Sequence, residues 1–206
     1  MKVLGVDQSY TSTGLVVLSD GNITSAGRFV TDVTRDKPSR AWELGLHICR
    51  MVQEHRIDVV AIEGLAFGLR GDATRDLAGL QFVITAMIKH LGVSDVPVLV
   101  VSPKTVKMAA TGSGKADKSA MIDSLPISAL NIFEKMGVKK TTGLADLADA
   151  YWIAVVASDP DFVTQSTENK KKKKKKKRNT VKTKEKIQQR TELEPSTKYR
   201  PTELQT

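Results

Sequence analysis

Short apolar runs separated by polar turns open the chain, and they predict three consecutive strands. The first, Lys2 to Asp7, is apolar and ends in an acid. The second, Thr13 to Ser19, and the third, Asn22 to Val30, are joined through Asp20-Gly21, a dipeptide typical of hairpin turns. The first thirty residues are therefore predicted to form hairpin-like strands.

After residue 37, stretches with helical spacing alternate with apolar runs. Leu44, Ile48 and Val52 recur at intervals of four, as on the buried face of a helix. We expect Trp42 and Trp152 to be core residues of their helices. The predicted helices are Pro38 to His55, Arg75 to Leu91, one that begins at Ser102-Pro103, Asp117 to Leu125 and Leu144 to Ala157, and the predicted strands are Ile57 to Glu63 and Pro97 to Val101.

Three strands followed by alternating helices and strands predict an α/β fold. The sheet is expected to be mixed and five-stranded, with helices on its faces. This order of elements is that of the ribonuclease H-like fold. We expect one such domain over residues 1–160.

The charge of the chain is concentrated at its end. The net charge is +9, yet residues 166–206 alone hold 15 Lys and Arg against 5 Glu. The run Lys170 to Lys177 repels itself and has no apolar residues with which to fold. We predict that residues 161–206 are a disordered tail that binds polyanions such as DNA. A solubilising or localising tail is the alternative.

Composition excludes several classes of protein. No stretch reaches the roughly 18 apolar residues of a membrane-spanning helix, so we expect no membrane partner. The one cysteine, Cys49, excludes an internal disulfide and a cysteine-based zinc site. Because the first residues pass directly into an apolar strand, we expect no secretory signal and a cytoplasmic protein.

Four carboxylates are candidates for catalysis. Asp7 and Glu63 each end an apolar strand, where a buried charge needs a metal, water or a cation beside it. Asp146 and Asp149 lie three apart on a predicted helix and so share one face. Oxygen ligands without Cys or His suit Mg²⁺ or Mn²⁺, and two such ions can activate water at a phosphodiester. Alternatively, these acids cap helices or pair with lysines.

Lysines surround a glycine-rich break, and a second loop carries an aromatic residue. Gly112 and Gly114 would let backbone amides approach a phosphate, although a mobile surface loop is the alternative. Phe67 follows Glu63 in a loop bounded by glycines, where it could wedge between bases or pack beneath the loop. The candidate DNA-binding residues are Lys104, Lys107, Lys115, Lys118, Phe67 and Arg70.

These residues resemble, in the same order, the motifs of the RuvC family of Holliday junction resolvases, in a phage-type form. Gln8-Ser9 stands where bacterial members usually carry Pro-Gly, and Phe67 comes one position after the family's junction-core Phe. The matching segments are Gly5-Val-Asp7 with Thr13-Gly14, Ala61-Ile-Glu63, Val106-Lys107 through Ala116-Asp-Lys118-Ser119, and Asp146-Leu-Ala-Asp149-Ala150.

The resemblance implies a homodimer that binds a four-way DNA junction and nicks two strands symmetrically. The products would carry 5′-phosphate and 3′-hydroxyl ends. Asp7, Glu63, Asp146 and Asp149 would hold two Mg²⁺ per active site, with Mn²⁺ as a substitute. Lys118 would lie near the scissile phosphate as a fifth catalytic residue, with Lys107 on the nearby backbone. If the chain is phage-encoded, it would work in the cytoplasm of a bacterial host.

Three other functions compete with this interpretation. A ribonuclease H-like nuclease that cuts RNA–DNA hybrids or other branched DNA would use the same acids. An actin-like sugar kinase shares the Gly5-Val-Asp7 and Thr13-Gly14 pattern but needs a second lobe, which about 165 structured residues cannot supply. A non-catalytic basic DNA-binding protein would not need all four acids.

Overall fold

The computed structural model describes residues 1–65, 71–91, 95–138 and 143–162. Nearly all of the predicted basic tail therefore lies outside the described residues. The five strands are β1 (Lys2–Asp7), β2 (Ser12–Ser19), β3 (Asn22–Val30), β4 (Val59–Glu63) and β5 (Val98–Val101). The helices within the described residues are α1 (Lys37–His55), α2 (Asp72–His90), α3 (Pro103–Thr111), α4 (Lys118–Asp123), α5 (Ile127–Lys135) and α6 (Leu144–Ala157).

The strands form one mixed sheet in the order β3-β2-β1-β4-β5. β1 pairs with β2 and β2 with β3 in antiparallel fashion, whereas β1–β4 and β4–β5 are parallel. The predicted α/β fold with a mixed five-stranded sheet flanked by helices is confirmed.

Alternate residues of each strand face opposite sides of the sheet, and both sides are covered by helices. Val3 packs in a layer with α3, α4, α5 and α6. Its neighbour Leu4 packs in the other layer, against α1 and α2. The central strands are therefore buried on both faces, which explains why their sequence is almost continuously apolar.

Glycines allow α6 to lie unusually close to the sheet. A Cβ built on Gly5 would lie 2.1 Å from the backbone oxygen of Ala150, and one on Gly14 would lie 2.1 Å from the backbone oxygen of Asp146. Real Cβ atoms are not found that close to a backbone atom, so any other residue would push the helix away. The two glycines thus fix the height of α6 above β1 and β2.

Two features of the helices differ from the sequence prediction. Helix α5 was not predicted, although its Ala129 and Phe133 lie four apart and are buried. Trp42 was wrongly placed in the core, since the residue is 52% exposed, while Trp152 is half-buried against the α6 layer. None of the helices within the described residues is long and apolar enough to cross a bilayer.

Candidate active site

Two acids lie side by side where neighbouring parallel strands end. Asp7 is the last residue of β1 and Glu63 the last of β4. The parallel register pairs Val6 with Ile62, one residue before each acid. Carboxyl ends of parallel strands meet at one edge of a sheet, which is where α/β proteins bind ligands. Both carboxylates therefore lie at that edge.

The other two acids come from the beginning of α6. Asp146 is in the first turn of the helix, and Asp149 follows three residues later on the same face. The antiparallel register places Asp7 opposite Gly14, and Gly14 in turn touches the backbone of Asp146. The close approach of α6 thus brings its acids to the strand-end acids.

The carboxylates raise one another's pKa. Burial is the largest cause of the raised pKa of Asp7, which lies well above its ordinary value. The charges of Asp149, Glu63 and Asp146 raise it further. Burial and the charge of Asp149 likewise raise the pKa of Glu63 to about 7. Burial also raises the pKa of Asp149. The charged forms of these three carboxylates are thus disfavoured where they stand, chiefly by burial.

The donor set fits a hard divalent cation. All four side chains offer carboxylate oxygens, which are the ligands preferred by Mg²⁺ and Mn²⁺. As they stand, no three acidic, histidine or cysteine side chains among the described residues are close enough to hold one ion. The charged forms of these carboxylates are disfavoured, first by burial and then by one another's negative charge. A divalent ion is the group that would offset that negative charge.

Two of the four candidate lysines act on these acids. Lys107 belongs to α3, and Lys118 is the first residue of α4, whose N-cap Asp117 accepts a hydrogen bond from Ala120 N at 2.9 Å. The charges of Lys107 and Lys118 lower the pKa of both Glu63 and Asp149, against the larger effect of burial. Both ammonium groups therefore lie on the side of the acidic edge.

The remaining DNA-binding candidates have other places. Lys104 lines a cleft of about 550 Å³ between α3 and α6, with Val155 and Phe162. Lys115 is exposed in the loop between α3 and α4. Phe67 and Arg70 lie outside the described residues.

Three polar residues beside the acids were missed by the sequence analysis as site residues. Ser12 Oγ lies 2.7 Å from Asp146 Oδ2, and Arg28 Nε lies 3.0 Å from the same oxygen. Gln8 is buried and donates from Nε2 to the backbone oxygen of Glu63 at 3.2 Å. Its Oε1 is buried with no hydrogen-bond partner among the described residues. For Gln8 the sequence offered one signal, since Gln8 stands where the family's motif usually has Pro. For Ser12 and Arg28 it offered none.

The comparison with protein families decides the class of the protein. The sequence model of the protein family "Crossover junction endodeoxyribonuclease RuvC" matches residues 3–157 of this chain. The chain belongs to this family. The predicted family and the predicted class of enzyme, an endodeoxyribonuclease, are thereby confirmed. All four acids, Lys107 and Lys118 lie within the matched range.

Individual relatives agree with that assignment. The crossover junction endodeoxyribonuclease RuvC of Caldicellulosiruptor saccharolyticus is 27% identical over 165 residues, which cover 75% of this chain and 90% of the relative. The enzyme of the same name from Saccharopolyspora erythraea is 29% identical over 160 residues and 75% of both chains.

Solved structures share the fold. Thermus thermophilus RuvC in complex with its Holliday junction substrate superposes with a TM-score of 0.58 at 23% identity, covering 75% of this chain and 90% of that one. The yeast mitochondrial Holliday junction resolvase gives a TM-score of 0.54 at 18% identity, covering 74% of this chain and 75% of that one. The ribonuclease H-like order of elements predicted from the sequence is thus that of RuvC structures.

Proposed function

We propose that this chain resolves four-way DNA junctions by metal-dependent hydrolysis of two symmetry-related phosphodiesters, leaving 5′-phosphate and 3′-hydroxyl ends. The observation that carries the proposal is that four acids meet at the carboxyl edge of the sheet, near enough for their charges to act on one another. Burial and the acids' own charges raise the pKa of Asp7, Glu63 and Asp149, while the charges of Lys107 and Lys118 act in the opposite direction on Glu63 and Asp149. Membership of the RuvC family supplies the junction as the substrate class.

The four acids would hold two Mg²⁺ or Mn²⁺ ions. Asp7 is the natural shared ligand, because the charges of Asp149, Glu63 and Asp146 all act on it. Bound ions would lower the pKa of a water molecule and stabilise charge on the phosphate during in-line displacement. The protein's own part is to keep these oxygens at fixed places on the ends of β1 and β4 and on α6.

The lysines would handle the DNA backbone. Lys118, whose charge acts on Asp7, Glu63 and Asp149, would neutralise a phosphate held at the acids. Lys107 would hold the adjoining backbone, and Lys104 and Lys115 would extend the contact outward. We also assign DNA contacts to Phe67 and Arg70 and polyanion binding to the lysine-rich tail.

A homodimer is part of the proposal. A four-way junction approximates twofold symmetry, so a dimer with a twofold axis presents two matched active sites to the two strands. The expected place of action is the cytoplasm, that of a bacterial host if the chain is phage-encoded.

The test is cleavage of a labelled synthetic four-way junction with Mg²⁺ or Mn²⁺, next to a linear duplex, a fork and an RNA–DNA hybrid. Asp7→Asn should abolish cleavage, because it removes the carboxylate on which the other three act. Asp95→Asn is the matched control, since Asp95 is exposed and outside the site. We expect paired nicks that a ligase can reseal, in the wild type and the control only.

Other outcomes would redirect or overturn the proposal. Preferential cutting of the hybrid or the fork would keep the metal site and change the substrate. Tight junction binding with no cutting in either metal would identify a DNA-binding protein and refute the catalytic role. Sedimentation with and without junction would show whether one or two chains bind.

A further inference from the structure

The hydrogen bonds around Asp146 are one-sided. Ser12 Oγ and Arg28 Nε both reach Oδ2, at 2.7 Å and 3.0 Å. Both hydrogen bonds that Asp146 accepts from the described residues end on this oxygen. The other oxygen, Oδ1, receives none from them.

The direction of each hydrogen bond follows from the chemistry of the three groups. A guanidinium has only donors, so Ser12 Oγ must accept from Arg28 Nη2 at 2.7 Å. The single proton of Arg28 Nε is shared between Ser12 Oγ and Asp146 Oδ2, each 3.0 Å away. The hydroxyl's single proton is then free for Asp146 Oδ2. Ser12 is therefore polarised by Arg28 and passes a stronger hydrogen bond to the carboxylate.

The register of the sheet brings Arg28 close to the strand-end acid Asp7. Gly14 pairs with Asp7 on one side and with Arg28 on the other, so the three residues form one row across β1, β2 and β3. Residues directly opposite in antiparallel strands face the same side. Because Gly14 in the middle of this row has no side chain, the backbone of Asp146 can lie over it, between Asp7 and Arg28.

A second glycine makes room for the guanidinium. Gly143 precedes α6 with φ of +90°, and a Cβ there would lie 2.3 Å from Arg28 Cδ and 2.5 Å from its Cζ. Arg28 thus packs across the beginning of α6, and any residue other than glycine at position 143 would displace the Arg28 side chain. The side chains of Arg28 and Asp146 are still 28% and 24% exposed, so the carboxylate remains accessible to a cation.

We infer that Ser12 and Arg28 are positioning residues that hold Asp146 by Oδ2 and so present Oδ1 as the oxygen that ligates the metal ion. This inference rests on the proposed metal-dependent function. Groups that orient a metal ligand from outside commonly change metal affinity by 10- to 100-fold when they are removed. Both residues would act through Asp146, whose Oδ2 they contact.

The first two variants of the test leave the net charge unchanged. Ser12→Ala removes the polarised hydroxyl, and Arg28→Lys keeps the cation but loses the planar fork. We expect each to weaken Mn²⁺ binding roughly 10-fold, measured from the free-Mn²⁺ EPR signal well below the unfolding temperature. Ser12→Thr retains a hydroxyl and should restore nearly wild-type affinity. Arg35→Lys is the matched control, because Arg35 pairs with Glu43 at the surface.

A purely structural role predicts a different result. The Arg28–Asp146 ion pair also ties β3 to α6, so a structural role alone would lower the melting temperature in EDTA and leave Mn²⁺ affinity unchanged. That pattern would overturn the inference. In an Asp146→Asn background, Ser12→Ala should cause no further loss of Mn²⁺ affinity, and an additive loss would also overturn it.

The same titration separates this inference from the proposed function. Wild-type protein that binds no Mn²⁺, or binds it as well as Asp7→Asn does, would refute the metal site and the positioning role together. Asp7-dependent binding that Ser12→Ala and Arg28→Lys leave unchanged would refute the positioning role alone.

Discussion

The backbone of Asp146 lies directly over Gly14, at a distance that leaves no room for a single added methyl group. A Cβ on Gly14 would stand 2.1 Å from the Asp146 oxygen and 2.5 Å from its carbonyl carbon. The obstacle is backbone rather than a flexible side chain. The position of an acid on the last core helix is therefore set by a glycine on the second strand.

We expect Gly14→Ala to displace the start of α6 and to lower the free energy of unfolding by about 1–3 kcal/mol, the usual range for overpacking. Junction cleavage should fall more steeply than stability, because Asp146 moves with the helix. Gly27→Ala is a matched control on the neighbouring strand, where an added Cβ meets nothing within 4 Å. Urea unfolding and junction cleavage of both variants test this. Equal behaviour of the two variants would contradict it.

The acidic cluster should make the stability of the protein depend on pH in EDTA. The pKa of Glu63 rises from 4.5 to about 7 on folding, so the folded chain retains a proton that the unfolded chain releases. The folded state then binds more protons between these values, and raising the pH through that window destabilises it. The Glu63 contribution amounts to about 3 kcal/mol. Denaturant titrations from pH 4.5 to 8 measure the slope.

Two variants check the origin of that slope. Glu63→Gln should flatten it and be more stable than the wild type at pH 8. The exposed Glu134→Gln should keep the wild-type slope. Mg²⁺ should restore stability at pH 8 in the wild type, since a ligand that binds only the folded state stabilises it. A slope unaffected by Glu63→Gln would show that Glu63 is not the titrating group.

Lys118 should influence both the rate of cleavage and its pH dependence. Its charge lowers the pKa of Asp7, Glu63 and Asp149. Lys118→Met should therefore move the acidic limb of the pH–rate profile to higher pH and slow cleavage by about 100-fold. Lys135→Met, at an exposed position on α5, is the control. If Lys118→Met binds the junction more weakly but its pH–rate profile is unshifted, Lys118 only contacts the DNA backbone and does not act on the acids.

The basic tail should contribute DNA affinity without affecting the metal site. Removing residues 166–206 deletes 15 basic side chains, so junction affinity should fall and its dependence on salt should flatten. A chain that ends at residue 180 keeps the lysine run and should retain most of both. Fluorescence anisotropy at several salt concentrations measures the effect, and Mn²⁺ binding should be the same in all three chains. Identical salt dependence would refute this role.

The sequence predicts the strand ends of the site well because their signal is local. An acid that closes an apolar run, as Asp7 and Glu63 do, stands out against the strands that carry it. The pair on α6 is equally visible from its spacing of three. Each of these signals lies within a single strand or helix, so it can be recognised without knowing how the strands and helices pack.

Two kinds of error have physical reasons. Trp42 precedes the buried Leu44 by two residues, about 200° around a helix, so both cannot face the core. Ser12 and Arg28 were missed because their role depends on register across two strand pairs. The register between β2 and β3 shifts at Val17/Leu18. No local pattern in the sequence predicts such a shift, so the sequence does not predict which residues of the two strands lie opposite each other.

The acidic site joins the two ends of the folded domain, and this has a consequence for synthesis. Ser12 and Asp146 are 134 residues apart in the chain although they share a hydrogen bond. Of the elements described, the strands leave the ribosome first and α6 last, so a nascent chain carries Asp7 and Glu63 before Asp146 and Asp149 exist. Under the proposed function, a chain that ends before α6 would lack Asp146 and Asp149 and should not cleave a junction.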